Sequence, residues 1–192
     1  ELRKCIKKTL NSSKSSKKET NFACIISLID QYNMRPGNRK YTRLYGHQGA
    51  TTLTRKNLRG NKLSWVGKSG VQHKVEIKDK KLLKYLPLAF GTVPNTFLNK
   101  NLIHNFQNIT CKDIRTFHAN AHYIQGLLDG LSKKDAIKFT AKKLGHNPST
   151  SKNSYLLPSL VLKYETKNSL PKSIRKKFKY LKIHENLLMN IL

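Results

Sequence analysis

With 192 residues and 38% hydrophobic content, the chain is long enough for one compact domain with its own apolar core. Its 38 Lys and Arg face 10 Asp and Glu, a formal net charge of +28 that points to a polyanionic partner. Nucleic acid ranks above a membrane, because no apolar run approaches the roughly 18 residues needed to span a bilayer. The few acids exclude a clustered-carboxylate metal centre: Asp30, Asp79, Asp113, Asp129 and Asp135 stand far apart, so any phosphodiester chemistry is expected to need neither metal nor cofactor.

In chain order, residues 1 to 9 read as a short helix and "NSSKSSKKET" (11–20) as a mobile Ser/Lys-rich connector. The first residue is not methionine, and residues 1–20 are taken as a linker that follows a further amino-terminal domain. Residues 21–192 are taken as one domain. "NFACIISLIDQYN" from Asn21 is apolar enough for a buried helix that stops at Pro36-Gly37. "TTLTRKNL" (51–58), "KLSWVGK" (62–68) and "VQHKVEI" (71–77) alternate in part and are separated by Gly-containing turns, which predicts a three-stranded antiparallel meander with Lys68 at the second hairpin tip.

Beyond residue 80 the pattern is helical. Thr110 and Asp113 form a capping-box-like start, after which Ile114, Phe117, Ala121, Ile124 and Leu128 share a face. Ser132 and Asp135 repeat the device, Gly145 stops that helix, and Pro158 opens another. His146 therefore sits just past a helix end, and Tyr155 in a short helical turn. "KSIRKKFKYLKIHENLLMNIL" reads as a basic amphipathic helical tail. The fold class is α+β, predominantly α-helical with a small three-stranded antiparallel sheet. Cys5, Cys24 and Cys111 are odd in number, widely spaced and without ligand spacing, which suits reduced intracellular thiols.

A tyrosine that attacks a phosphodiester must lose a proton of reference pKa about 10, while charge builds on the nonbridging oxygens and the leaving oxygen needs a proton. Arginine suits the phosphate clamp because its planar fork donates two parallel hydrogen bonds and stays charged. Lysine suits the general acid because its pKa falls readily near other cations. "MRPGNRKY" (34–41), "GATTL" (49–53), "WVGKSGVQH" (65–73), "KDIRT" (112–116) and "GHNPSTSKNSY" (145–155) occur in the order found in type IB DNA topoisomerases. The chain resembles that family, with the small poxvirus-type and bacterial enzymes the nearest match, from about residue 34 to residue 155.

The resemblance implies the catalytic fold shared by tyrosine recombinases and type IB topoisomerases, and it implies roles. Arg35, Arg115 and His146 would contact the nonbridging oxygens, Lys68 would protonate the leaving 5′-oxygen, and Tyr155 would form a 3′-phosphotyrosyl intermediate. Religation after strand rotation would then relax supercoils without ATP. Lys40, Tyr41 and Lys112 match positions that lie close to DNA. Asn57 stands where the family often has histidine, and Pro36 and Ser69 also depart from its pattern without removing a catalytic group. The implied partner is double-stranded DNA, met by a monomer wherever the DNA lies: a virion or viral factory, or a nucleoid. The Lys- and Asn-rich composition suits an AT-rich genome.

Alone, each of these residues has an ordinary explanation: a solvated arginine, a hairpin-tip lysine, a histidine on a helix dipole, a packing tyrosine. Their joint order outweighs those explanations. His47, His73, His104, His118, His122 and His184 keep the ordinary reading; His118 and His122 could pair on a helix face, but no acid or cysteine completes a metal site. Two alternatives stand. A tyrosine recombinase shares the chemistry but usually carries histidine where this chain has Lys112, and a non-catalytic basic DNA-binding protein would explain the charge but not the motifs.

Overall fold

The computed structural model describes residues 1–167; the basic tail from residue 172 lies outside the described residues. The chain divides into two compact units, Glu1–Ile114 and Arg115–Leu192. Among the described residues no helix is long and apolar enough to cross a membrane.

The first unit is organised around α2 (Lys17–Tyr32). Ala23, Cys24, Ile25, Ile26, Leu28 and Ile29 are all buried, so the helix is apolar on every side and occupies the middle of the core. It packs against α1 (Leu2–Asn11), which buries Ile6 and Leu10, and α4 (Lys80–Ala89). Arg3 of α1 holds Asp30 of α2 by two bonds, Nε–Oδ2 at 2.7 Å and Nη2–Oδ1 at 2.8 Å, the fork geometry that a carboxylate matches best.

The Ser/Lys-rich stretch departs from the connector expected of it. Ser16 caps α2, with Glu19 N–H donating to Ser16 Oγ at 3.2 Å and Ser16 N–H donating to the Glu19 carboxylate at 2.8 Å, so residues 17–20 form the first helical turn. The reciprocal pair satisfies donors that the helix end would otherwise leave open. Low hydrophobicity at this point marks a solvated helix start.

The sheet has the expected order and sense, β1 (Leu58–Arg59), β2 (Lys62–Val66) and β3 (Gln72–Glu76), all antiparallel, with Leu63 opposite Val75 and Trp65 opposite His73. The first strand is much shorter than residues 51–58. Ala50–Thr52 and Arg55–Asn57 are 3-10 turns instead. The cause is local: Thr54 N–H donates to Asn57 Oδ1 at 2.9 Å, and Asn57 Nδ2 donates to Gln48 Oε1 at 2.8 Å and Ser64 O at 2.9 Å, so a side chain takes the bonds that a ladder would have used. Asn57 is thereby committed to the fold of the turn.

Helices α3 (Arg39–Tyr45) and α5 (Asn95–Asn105) complete this unit, and α6 (Cys111–Leu128) begins in it. The expected capping box is present, with Thr110 N–H donating to Asp113 Oδ2 at 2.8 Å and Asp113 N–H to Thr110 Oγ1 at 3.3 Å. Cys24 and Cys111 are buried free thiols, and desolvation pushes both up to about 12, so they act as packing groups.

The second unit takes the rest of α6 with α7 (Lys133–Leu144), α8 (Pro148–Ser154) and α9 (Pro158–Lys167). Its core joins Ala119, Ala121, Tyr123, Ile124 and Leu127 to Ala136, Ile137, Leu144, Leu156, Leu160 and Val161. Helices α6 and α7 approach closely at Gly126, where a Cβ would stand 3.2 Å from the Ala136 methyl. Ser132 caps α7 by accepting from Asp135 N–H at 3.1 Å, Gly145 ends it at φ +66°, and Pro158 opens α9, each as its local sequence dictates.

Candidate active site

Within the first unit, two of the motifs hold one another through their backbones. Ala50 N–H donates to Arg35 O at 2.8 Å and Thr51 N–H to Pro36 O at 2.7 Å, so the "RPG" loop lies directly on "GATT". No side chain fits between them: a Cβ on Gly49 would come within 2.5 Å of Arg35 O and of the Gly37 backbone. Gly37 itself has φ +93°, a left-handed conformation that glycine adopts without strain. The Arg35 main chain is therefore fixed on both sides, while its side chain stays partly exposed.

Lys68 lies where the sequence placed it, exposed at the tip between β2 and β3. Gly67 N–H donates to Val71 O at 2.7 Å and closes the loop, with Ser69 (φ +64°) and Gly70 (φ +75°) both left-handed inside it. The tip rests on a rigid base, since the His73 ring stacks on Trp65 with centroids 4.7 Å apart and planes within 7°. A Cβ on Gly67 would press to 2.7 Å of His73 Nε2, which ties the glycine before the lysine to that stack.

The residues expected near DNA in this unit are exposed. Lys40 and Tyr41 belong to α3, a seven-residue helix that buries nothing and is held by its caps, Asn38 Oδ1 accepting from Lys40 N–H at 2.9 Å and Gly46 closing the far end at φ +69°. Arg39, Lys40, Arg43 and Leu44 line a shallow hollow of about 530 Å³. Lys112 is exposed in the first turn of α6.

The second unit brings Arg115, His146 and Tyr155 together. Arg115 is 2% exposed, unlike the solvated arginine that its position near a helix start would suggest. Its Nη2 donates to Leu144 O at 3.1 Å, at the carbonyl end of α7 where the helix dipole favours a cation. The same helix end presents His146: Gly145 turns left-handed and His146 N–H donates back to Ala141 O at 3.1 Å, a Schellman closure that lifts the imidazole off the last turn.

Tyr155 is delivered by α8. Asn147 caps that helix, its Oδ1 accepting from Thr150 N–H at 2.7 Å, and Pro148 supplies a first helical position that needs no N–H donor. One short helix later, Tyr155 terminates it with N–H to Ser151 O at 3.2 Å. The nine-residue spacing thus folds back so that the Tyr155 and His146 rings stack, centroids 4.9 Å apart and planes within 12°. The Arg115 guanidinium carbon lies 5.6 Å from the Tyr155 ring centroid. A phenol beside a guanidinium and an imidazole can bind an anion and present a nucleophile to it.

Two residues that sequence reasoning missed support this cluster. Asn120 is fully buried on α6; its Nδ2 donates to Tyr155 O at 2.9 Å and Thr116 O at 2.8 Å, and its Oδ1 accepts from Leu157 N–H at 3.0 Å. It clamps the backbone on both sides of the tyrosine. The available signal was an asparagine on the apolar side of a helix, where that residue is unfavourable unless bonded. Ser151, also fully buried, lies with Oγ 3.1 Å from His146 Nδ1. Nothing in "STSKNS" distinguishes it from its exposed neighbours. His118 and His122 remain packing residues beside Phe117 and Phe139, and burial, with His118 and Lys143 nearby, pushes His122 down to about 4.

The model of a family described as eukaryotic DNA topoisomerase I, catalytic core, matches residues 1–180. A relative named DNA topoisomerase 1B, from Acanthamoeba polyphaga mimivirus, is 26% identical over 172 residues, covering 69% of this chain and 51% of the relative. The chain thus spans about half the length of the curated relative it matches. With the motifs in family order and nearly the whole length matched, the chain belongs to the eukaryotic DNA topoisomerase I catalytic-core family.

Proposed function

We propose that the chain is the catalytic portion of a type IB DNA topoisomerase, an isomerase that relaxes supercoiled duplex DNA through a transient single-strand break. The observation that carries this reading is the meeting of Tyr155, His146 and buried Arg115 within one unit. Tyr155 Oη gives up its proton to solvent water, attacks the scissile phosphorus, displaces the 5′-oxygen and leaves a 3′-phosphotyrosyl bond. Arg115, His146 and Arg35 stabilise the charge that grows on the nonbridging oxygens. Lys68 gives its proton to the departing 5′-oxygen. The phosphodiester is conserved as a phosphotyrosine ester, so the released 5′-hydroxyl attacks it in reverse after strand rotation, with no ATP, metal or other cofactor.

The finer readings belong to the same proposal. The fold is that of the tyrosine recombinases and type IB topoisomerases, residues 21–192 act as one catalytic domain, and the enzyme works as a monomer on double-stranded DNA inside the cell or virion that holds it. Lys40, Tyr41 and Lys112 contact phosphates beside the scissile one. Ten cations and no acid between Asp30 and Glu76 support an electrostatic cradle.

The test is plasmid relaxation in EDTA, with trapping of the covalent adduct, comparing the wild-type chain with Tyr155→Phe. Relaxation and adduct by the wild type, and neither by the variant, is the expected result. Equal relaxation by both proteins would sink the assignment of the nucleophile. Strand exchange between duplexes would instead indicate a recombinase.

A further inference from the structure

Two fully buried aliphatic hydroxyls on the described helices turn back onto their own helix. Ser27 Oγ donates to Ala23 O at 2.7 Å, and Thr140 Oγ1 to Ala136 O at 2.8 Å. Ser151 is just as fully buried, on α8, and its hydroxyl goes elsewhere: Oγ lies 3.1 Å from Nδ1 of His146. The ring of that histidine lies against the Tyr155 ring.

Nδ1 has a second neighbour, the Asn147 carbonyl at 3.4 Å. The two make opposite demands. A carbonyl only accepts, so it calls for a proton on Nδ1, whereas a hydroxyl can donate and so suits a bare Nδ1. Distance favours the hydroxyl, because 3.4 Å lies beyond ordinary hydrogen-bond lengths and 3.1 Å within them. Proton accounting agrees. A proton on Nδ1 would take from the Ser151 hydroxyl the acceptor it has in this site, and a fully buried hydroxyl proton is costly to leave unbonded.

We propose that Ser151 donates its hydroxyl proton to His146 Nδ1 and thereby holds the neutral imidazole in the tautomer that carries its proton on Nε2, making Ser151 a positioning residue. The proposal rests on the reading of His146 as a phosphate contact. A neutral imidazole has one N–H, and while Nδ1 accepts from Ser151 only Nε2 can carry it to an oxyanion. The imidazolium has both and needs no such selection. Ser151 therefore matters where His146 is neutral and becomes dispensable where it is charged.

The described ionisable groups on the surrounding elements are mostly cationic or neutral: Arg115, His118 and His122 on α6, Lys142 and Lys143 in the last turn of α7, Lys152 on α8, and Tyr155. The described carboxylates on α6, α7 and the turn between them are engaged elsewhere, Asp113 with Thr110, Asp129 with Gln125, and Asp135 with Ser132 and Lys138. No described carboxylate replaces the serine as the partner that selects the tautomer.

Two measurements test this. In ¹⁵N-histidine-labelled wild-type protein at about pH 8, long-range proton–nitrogen correlations should show His146 protonated on Nε2; an Nδ1–H pattern overturns the proposal, whether or not the protein cleaves DNA. In single-turnover cleavage of a saturating duplex, Ser151→Ala should be slower by about tenfold at that pH, the size of one lost hydrogen bond. Ser151→Thr, which keeps the hydroxyl, should restore the rate. A deficit that Ser151→Thr does not rescue would show that Ser151 acts through packing alone, and the proposal would fall. Absence of any covalent adduct from the wild type would instead count against the topoisomerase reading, while the nitrogen spectrum would still decide the tautomer.

Discussion

The two units fix their proposed catalytic residues by different means. In the first, Arg35 and Lys68 stand on loops whose backbones are locked by glycine contacts and main-chain hydrogen bonds, while the side chains reach towards solvent. In the second, Arg115, His146 and Tyr155 are set by helix ends and by buried side chains, Asn120 and Ser151, that bond to them directly. On the proposed mechanism, a loop clamp leaves a long cation free to follow a phosphate, whereas a buried network holds the nucleophile at one angle. Lys68 at the first unit's hairpin tip is expected to change without unfolding it, unlike Gly49; in the second unit Arg115, Asn120 and Ser151 are buried and Tyr155 packs against the core.

That contrast can be broken at four places. Gly49→Ala carries the largest expected effect, about 3 kcal/mol or more of lost stability, because the new methyl meets backbone rather than a flexible side chain. A urea midpoint close to that of the wild type would show that the clamp yields. Asn120→Ala comes next, at about 2–3 kcal/mol, since Tyr155 O and Leu157 N–H lose a buried partner. On the proposed mechanism its cleavage rate should fall more than its affinity for duplex DNA, and an equal fall in both would make Asn120 a purely structural residue.

The third is acid sensitivity. His122 has its folded pKa pushed down from 6.5 to about 4, so folding favours the neutral ring. Its contribution is intact above about pH 6.5 and is lost as pH falls through that window towards 4, by on the order of 3 kcal/mol in all. Unfolding curves of wild type and His122→Leu, compared at each pH, should diverge in that interval and run parallel above it. The smallest stability effect is expected for Lys68→Ala, within about 0.5 kcal/mol of wild type because the side chain is exposed at a hairpin tip. The same variant should form the covalent adduct far more slowly, and normal adduct formation would remove Lys68 from the mechanism.

Much of this was legible in the sequence because it is local. Thr110 with Asp113, Ser132 with Asp135, Gly145 and Pro158 each act within a few residues of themselves, and each lies where its spacing predicts. The failures are instructive in the same terms. Ser16 and Glu19 also have capping-box spacing, yet the surrounding serines and lysines made composition speak louder than position. Residues 51–57 alternate like a strand, but Thr54 and Asn57 side chains satisfy the backbone in turns.

By itself, the sequence determined the sign and excess of charge, the ends of the helices, the hairpin that lifts Lys68, and the order of motifs that marks the family. Those properties depend on residue type and on neighbours close in the chain. Only the tertiary structure decided that Arg115 is buried against the end of α7, that Asn120 grips the chain at Tyr155, and that His146 and Tyr155 stack. The bonds made by Arg115 and Asn120 join positions 29 to 37 residues apart, and the stack depends on the turn of α8. Contacts of that separation are chosen by how helices pack around a shared core, which no local pattern of residues specifies.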